Sequence, residues 1–530
     1  MTDLPLAACA IPALLLLATG LVPSRWAKRG ALRFRRLVTV LAGFHFLAAS
    51  LLLIAFLLGG GSETHRVLLG SAQQSPVTFS LYYDGSAGLM LALVSLVGWV
   101  ICRYSNRYLD GEKNEGRYYR WTAFTIGAVS LMVISGNLLM FFVAWVSTSL
   151  GLHKLLLHYA HRPAAHRAAW TKFSISRLGD VALISAIVLT YFHFHTFEFA
   201  ELFASVQGTA VGGPLATTPT VWIAWLIVFG AVTKSAQFPF HTWLPQTMET
   251  PTPVSALMHA GIVNAGGYLI IRTSPLITHA PLALMVLAVV GAVTACFAAT
   301  VMLTQTSVKR SLAYSTIAQM GFMMLQCGLG AFSAAMLHIV AHSLYKAHAF
   351  LSSGGVLAQR AGTNGVDVAS RAPFRGWLHL PAAAAVSFAA FGLAMVSAGI
   401  DPATKAGGFV LGLILCLAFT AWLWQAWRTQ VTMVMAASAA STGLLALIYA
   451  FSFVAVDKIV TSNPAITTPP LPLGGIAAIV AVGFGSLFVL QPLLLRKTRP
   501  HWLDAMYVHA SNGFYIDAVY RRLFGPIASS

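Results

Sequence analysis

The chain has 530 residues, a formal net charge of +18, 57% hydrophobic residues and only 9% charged ones. A water-soluble domain carries about 25% charged residues to cover its surface, so most of this surface faces something other than water. That excludes a soluble enzyme domain. The positive charge gathers in short loops between apolar runs, a topology signal rather than a nucleic-acid footprint.

A helix needs ~20 apolar residues to cross the ~30 Å hydrocarbon layer. In chain order such runs lie near 4–22, 37–58, 79–102, 121–136, 138–157, 173–192, 220–240, 253–272, 281–303, 311–328, 331–352, 378–400, 405–427, 433–453 and 473–495. They predict an all-α, polytopic membrane protein of about fifteen spans. The first run, "LPLAACAIPALLLLATGLV", has no basic residue before it and no small-residue cleavage site after it, so it is expected as a retained span rather than a signal peptide.

The first loop, "SRWAKRGALRFRR", holds six Lys/Arg and no acid, which puts it in the cytoplasm and the N-terminus outside. Alternation then places Tyr104–Arg120, His158–Lys172, Lys309–Arg310, Arg360–Arg375, Arg428 and "LRKTRPH" on the cytoplasmic side, and all are basic. The opposite loops carry Glu63, Glu198, Glu201 and Asp457. An odd number of spans leaves the C-terminus cytoplasmic. The five cysteines lie mostly inside apolar runs without paired spacing, so neither a disulfide framework nor an iron–sulfur ligand set is expected.

Ionisable residues inside the runs carry the functional signal. Lys234 lies in the 220–240 run, and an ammonium in hydrocarbon costs at least ~3 kcal/mol unless it meets a partner or a wet path. The rival reading is a lysine that snorkels to the interface. Pro239 and Pro245 follow, and proline inside a span breaks the helix where freed carbonyls meet protein or water. His338, His342 and Lys346, spaced by four, fall on one helical stripe suited to proton hopping. Satisfied core histidines and a zinc pair are the alternatives, although no glutamate follows the first histidine and no third ligand is evident. His259 stands where it bridges Lys234 towards Lys309 and this ladder, and Asp180 is the acid able to pair with Lys234, with Arg177 one turn earlier. A movable pair would switch the lysine; a static pair would merely hold it. The tail "HWLDAMYVHASNGFYIDAVYRRLF" reads as an interfacial helix or as a partner-docking surface through Tyr507, Phe514, Tyr515 and Arg521.

"TKSAQFPFHTWLPQTMETPTPVSALMHA", "VKRSLAYSTIAQMGFMML" and "HIVAHSLYKAHAFLSSGG" resemble signature segments of the antiporter-like subunits of respiratory complex I and of multisubunit sodium/proton antiporters. The resemblance implies two inverted five-helix repeats, each with a broken helix, along a central chain of lysines and histidines. Its proton path falls on Lys234, His259, Lys309 as the central lysine, His338, His342, Lys346 and Asp180. The chain departs from the pattern at Val146, where the family has a glutamate, and at Ile400, where it has a lysine. There, "VSAGIDPATKAGG" offers Asp401 and the displaced Lys405 as elements of the second broken helix.

The implied organisation is N-terminal helices over 1–120, repeats over 121–272 and 281–427, C-terminal helices over 428–495 and a cytoplasmic or interfacial tail over 496–530. A chain ending soon after an "NGFYID"-like segment, without a long lateral helix, resembles most the DabB-type subunits of inorganic-carbon accumulation systems. That likeness implies a bacterial inner-membrane protein that conducts protons or another cation and is not catalytic by itself. It would energise a large cytoplasmic DabA-type partner, resembling carbonic anhydrase, that holds the zinc, with no cofactor in this chain. Subunits of a complex I- or hydrogenase-like redox complex and of a sodium/proton antiporter are the alternatives.

Overall fold

The computed structural model describes residues 3–61, 63–69, 78–206, 218–355, 379–401, 405, 407–428, 431–460, 473–494, 500–520 and 522. Arg521 of the expected docking surface lies outside them. The principal helices are α1 Asp3–Ala18, α2 Ala31–Leu58, α3 Gly85–Tyr108, α4 Glu115–Val133, α5 Leu138–Leu156, α6 Pro163–Phe194, α7 Thr218–Lys234, α8 Thr252–Ala260 and α9 Ala265–Arg272. They continue as α10 Pro281–Met302, α11 Val308–Gly328, α12 Phe332–Ser352, α13 Leu380–Ser397, α14 Gly408–Trp427, α15 Thr432–Val460, α16 Leu473–Leu494 and α17 His501–Ser511. The chain is thus an all-α, multi-pass membrane protein. Among the described residues, ten helical segments are long and apolar enough to cross a bilayer, one of them the α8–α9 pair counted together.

With lipid as solvent, burial sorts the helices by depth in the bundle. The α8–α9 segment is 94% buried, whereas α16 is 11% and α2 17% buried. On α2, Val40, Phe44, Leu47, Leu51 and Ile54 stand exposed, an apolar stripe that only acyl chains would solvate. The main core joins α1 to α12, and smaller clusters bind α13–α16 to its flank. Where helices touch closely, glycine removes the obstacle: a Cβ on Gly179 of α6 would stand 2.2 Å from Thr233 Oγ1 on α7, just before Lys234.

One element departs from the expected all-helical pattern. Phe79–Tyr83, read above as the start of a span, forms strand β2, antiparallel to β1 Thr64–Leu69. The run F-S-L-Y-Y alternates and is rich in aromatics, which suits a strand. Asp84 then ends it by capping α3, its Oδ1 accepting from Ala87 N at 2.8 Å.

The hairpin is pinned by Glu198, which is only 3% exposed. Glu198 accepts from Ser80 Oγ at 2.7 Å and from Thr78 Oγ1, and pairs with His65 Nε2 at 2.9 Å. Burial pushes this carboxyl upward, but the hydrogen bonds from His65, Thr78 and Ser80 outweigh it and hold the group below its ordinary range. A carboxyl depressed on folding contributes stability above its unfolded value and loses that contribution as pH falls through its folded value. Thermal unfolding of detergent-purified protein is expected to show Glu198→Gln less stable than wild type at neutral pH, with the gap closing below the usual carboxylate range. A gap that stays constant with pH would show that the charge is not what holds the hairpin.

Candidate functional site

Helix α7 ends at Lys234, and the chain then passes through short turns at Phe240–Thr242, Trp243–Gln246 and Thr247–Glu249 before α8 begins. Ala236 sits at φ 50°, in the left-handed region that favours glycine, a strain of the kind that clusters at working sites. Pro239 is exposed in this break and Pro245 buried. The freed backbone groups find protein partners: Gln237 Nε2 donates to Ser235 O at 2.8 Å, and Phe238 N donates to Thr294 Oγ1 at 3.0 Å.

A second interruption divides the expected 253–272 span. A turn at Ile262–Asn264 separates α8 from α9. Ser235 Oγ, from the first break, donates to Val263 O at 2.7 Å in the second. Asn264 Nδ2 donates to Ala260 O at 2.9 Å and to Ser343 Oγ of α12 at 2.8 Å. The two breaks are therefore stitched to each other and to the histidine-bearing helix.

Lys234 is buried in a neutral cage. Its Nζ donates to Trp145 O at 3.2 Å, Thr148 Oγ1 at 3.0 Å and Ser149 Oγ at 3.0 Å, which uses all three ammonium donors. It also stands 4.2 Å from the centre of the Trp145 ring, a cation–π contact. This cage lies on α5 beside Val146, where the resemblance leads one to expect an acid. In this conformation Lys234 is enclosed by protein groups.

The expected Asp180–Lys234 pair is not formed. Asp180 Oδ2 is in ionic contact with Arg177 Nη2 at 2.6 Å, and its Oδ1 accepts from Trp145 Nε1 at 2.9 Å. Three residues of separation put Arg177 on the same helical face, so the local partner wins over the one across the bundle. Trp145 stands between acid and lysine, its ring face to the cation and its N–H to the carboxylate. Trp145, Thr148 and Ser149 went unnoticed in the sequence because they are ordinary residues of an apolar run.

The second cluster surrounds α12. Lys346 is fully buried and donates to Ser315 Oγ of α11 at 2.7 Å. The His338 and His342 rings lie 5.8 Å apart, and His259 stacks on Phe350 at 4.3 Å. Both ring nitrogens of His259 and of His342 are buried without a hydrogen-bond partner, as are His338 Nε2, Asn264 Oδ1 and Gln326 Oε1. Buried polar atoms are normally paired, and these have no partner within the protein. A small cavity of about 10 Å³ lies against the second break, bounded by Ala260, Gly261, Ile262 and Asn264 with apolar side chains of α3 and α4. Among the described residues no group of three His, Cys, Asp or Glu side chains could hold a metal.

The remaining expected positions among the described residues lie as follows in the fold. Lys309 is in the first turn of α11 and half-buried, six residues and about 9 Å of rise before Ser315, the residue that holds the fully buried Lys346. Asp401 and Lys405 occupy the connection between α13 and α14; both are exposed, and Lys405 pairs with Asp457 at 2.7 Å. Tyr507, Phe514 and Tyr515 belong to a tail segment folded back on the bundle. Gln246 Nε2 donates to Asp517 Oδ1 at 2.6 Å, Gln305 Nε2 to Ser511 O at 3.1 Å, and Phe514 lies 5.8 Å from Phe297.

The comparisons with known proteins agree with this architecture. Residues 135–435 match the family described as NADH:quinone oxidoreductase/Mrp antiporter, transmembrane, and residues 71–119 match the complex I chain 5 N-terminus. The first match covers more than half of the sequence, and the chain belongs to that antiporter-like membrane family. A probable inorganic carbon transporter subunit DabB2 of Halothiobacillus neapolitanus is 44% identical over 351 residues, 66% of this chain and 62% of that one. A probable inorganic carbon transporter subunit DabB of Hydrogenovibrio crunogenus is 44% identical over 268 residues, 50% of this chain and 51% of that one. The NADH-quinone oxidoreductase subunit L of Escherichia coli is 35% identical over 332 residues, 62% of this chain and 52% of that one. The matches thus span between half and two thirds of these relatives. The solved Mrp complex from Dietzia sp. DQ12-45-1b shares the fold, with a TM-score of 0.61 at 24% identity over 96% of this chain and 60% of that one.

The cage makes a direct test. Replacing Thr148 with Val and Ser149 with Ala strips two acceptors from Lys234, at about 1–3 kcal/mol for each donor left unpaired. The double variant is expected to unfold several degrees below wild type in detergent, while Thr148→Ser, which keeps a hydroxyl, stays close to it. Equal melting of all three would remove the cage from the account of Lys234 burial.

Proposed function

We propose that this chain is a proton-conducting membrane subunit that couples an ion-motive force to a cytoplasmic partner for inorganic-carbon accumulation. The observation that carries the reading is the row of ionisable groups, buried Lys234, His259, Lys346 and His342 with half-buried His338, flanked by orphaned polar atoms and by two helix breaks. A hydrocarbon interior tolerates such groups at a cost of several kcal/mol, and their usual work there is to move ions. The 44% identity to DabB-named proteins favours carbon accumulation as the purpose.

On this reading protons enter from outside and pass Lys234 and His259 to the stripe of α12, with Asp180 and Lys309 at the margins. Na⁺ is the other ion such a subunit could carry. The chain sits in a bacterial inner membrane with its N-terminus outside and its C-terminus in the cytoplasm. Its partner is a large zinc protein of the carbonic-anhydrase-like DabA type, which supplies the hydration chemistry. The tail through Tyr507, Phe514 and Tyr515 is the docking surface, and two inverted repeats frame the path. In cells that depend on this system, Lys234→Ala is expected to abolish growth at ambient carbon dioxide while membrane insertion, read by membrane fractionation, is unchanged. Full growth of that variant would end the reading.

The 35% identity to subunit L of a quinone oxidoreductase favours a second reading, a pumping subunit of a redox complex. Purification of the tagged full chain from its own cells discriminates the two. One large zinc-containing partner is the expected outcome, whereas flavin- and quinone-bearing subunits would support the redox complex instead.

A further inference from the structure

Lys172 belongs to the loop 158–172 when the chain is read by charge alone, but the structure carries it into the bundle. Helix α6 starts at Pro163, so Lys172 lies almost three turns inside it and is 3% exposed. Among the described residues its Nζ has one acceptor, Ser149 O, at 3.1 Å. Ser149 is the residue whose hydroxyl accepts from Lys234 at 3.0 Å. One serine of α5 therefore holds two buried lysines, one through its side chain and one through its backbone.

The charges around this serine do not balance with both lysines protonated. Asp180 is the acid that faces both lysines, and its carboxylate is committed to Arg177 and to the Trp145 N–H. From α6 the facing groups are Arg177 and Asp180, and from α5 His153 faces Lys172, with Lys154 beside it. Two buried ammonium ions and a partly exposed guanidinium would share a single carboxylate. Uncompensated buried charge of one sign is what proteins relieve by giving up a proton.

We propose that Lys172 and Lys234 form a shared-proton pair about Ser149, in which one side chain is ammonium and the other neutral amine. A proton delivered to one amine displaces a proton from the other, so the charge of the cluster is conserved while its position moves between α6 and α7. This deepens the proton-conducting reading by adding Lys172 as the residue that exchanges with Lys234, where the resemblance leads one to expect a glutamate on α5.

Nitrogen NMR of the full chain in lipid, labelled at its ten lysine Nζ atoms, tests this at neutral pH, because ammonium and amine nitrogens resonate apart. Wild type is expected to show a neutral-amine signal that disappears in Lys172→Met and also in Lys234→Met, since the lysine left alone keeps its proton. In Lys172→Arg, whose guanidinium cannot be deprotonated, the neutral signal is expected to persist and to belong to Lys234. A neutral signal that vanishes in only one methionine variant, or none traceable to either lysine, overturns the proposal. Proton flux into vesicles holding the same protein is scored separately. Absent wild-type flux would refute the conducting function, while the spectra would still decide the pair.

Discussion

Inside a bilayer, every buried N–H, carbonyl and ammonium must find its partner within the protein, because no bulk water is there to supply one. The centre of this molecule is organised by that demand. Breaking α7 after Lys234 frees carbonyls and donors, and Gln237 and Thr294 take up Ser235 O and Phe238 N. Breaking the next helix at Ile262–Asn264 frees more, and these are met by Ser235 from the first break and by Asn264 itself. The second interruption is thus satisfied in part by a side chain from the first.

The same demand governs the lysine. A carboxylate would satisfy an ammonium by charge, but α5 presents Val146 where the resemblance sets an acid, and the cage is built from a carbonyl, two hydroxyls and an aromatic face. Neutral acceptors satisfy the hydrogen bonds without cancelling the charge. The cluster consequently keeps an excess of positive charge, which the Arg177–Asp180 contact relieves only in part. Trp145 ties acid and base together indirectly, presenting its ring to one and its N–H to the other.

The break is also mechanically tied to the tail. Phe514 lies against Phe297, Phe297 packs 4.8 Å from the His241 ring, and Asp517 holds Gln246, so the segment that follows α17 touches the break directly after Pro245 and through Phe297 before it. A displacement of that tail would be felt where α7 is interrupted, since packed interiors shift as connected units. Phe514, although in contact with Phe297, and Tyr515 both remain exposed.

Much of this was legible in the sequence, because the relevant physics is local. A run of about twenty apolar residues must cross the layer as a helix, and a lysine or histidine inside one announces itself by its cost. Lys234, His259, His342 and Lys346 were found that way, as was the proline-broken helix. What the sequence could not supply was depth and partner. Lys309 and Lys346 are both lysines near apolar runs, and only the placement of α11 and α12 shows the first half-buried at a helix start and the second fully buried. Lys172 looked like loop charge because Pro163 starts α6 earlier than hydropathy suggests. Asp180 had candidate partners one turn away and across the bundle, and the tertiary contact with Trp145 and Arg177 decided between them. Composition and periodicity determine which segments enter the membrane, for each residue's cost of transfer is its own; which buried charges meet depends on helix packing, which no single segment encodes.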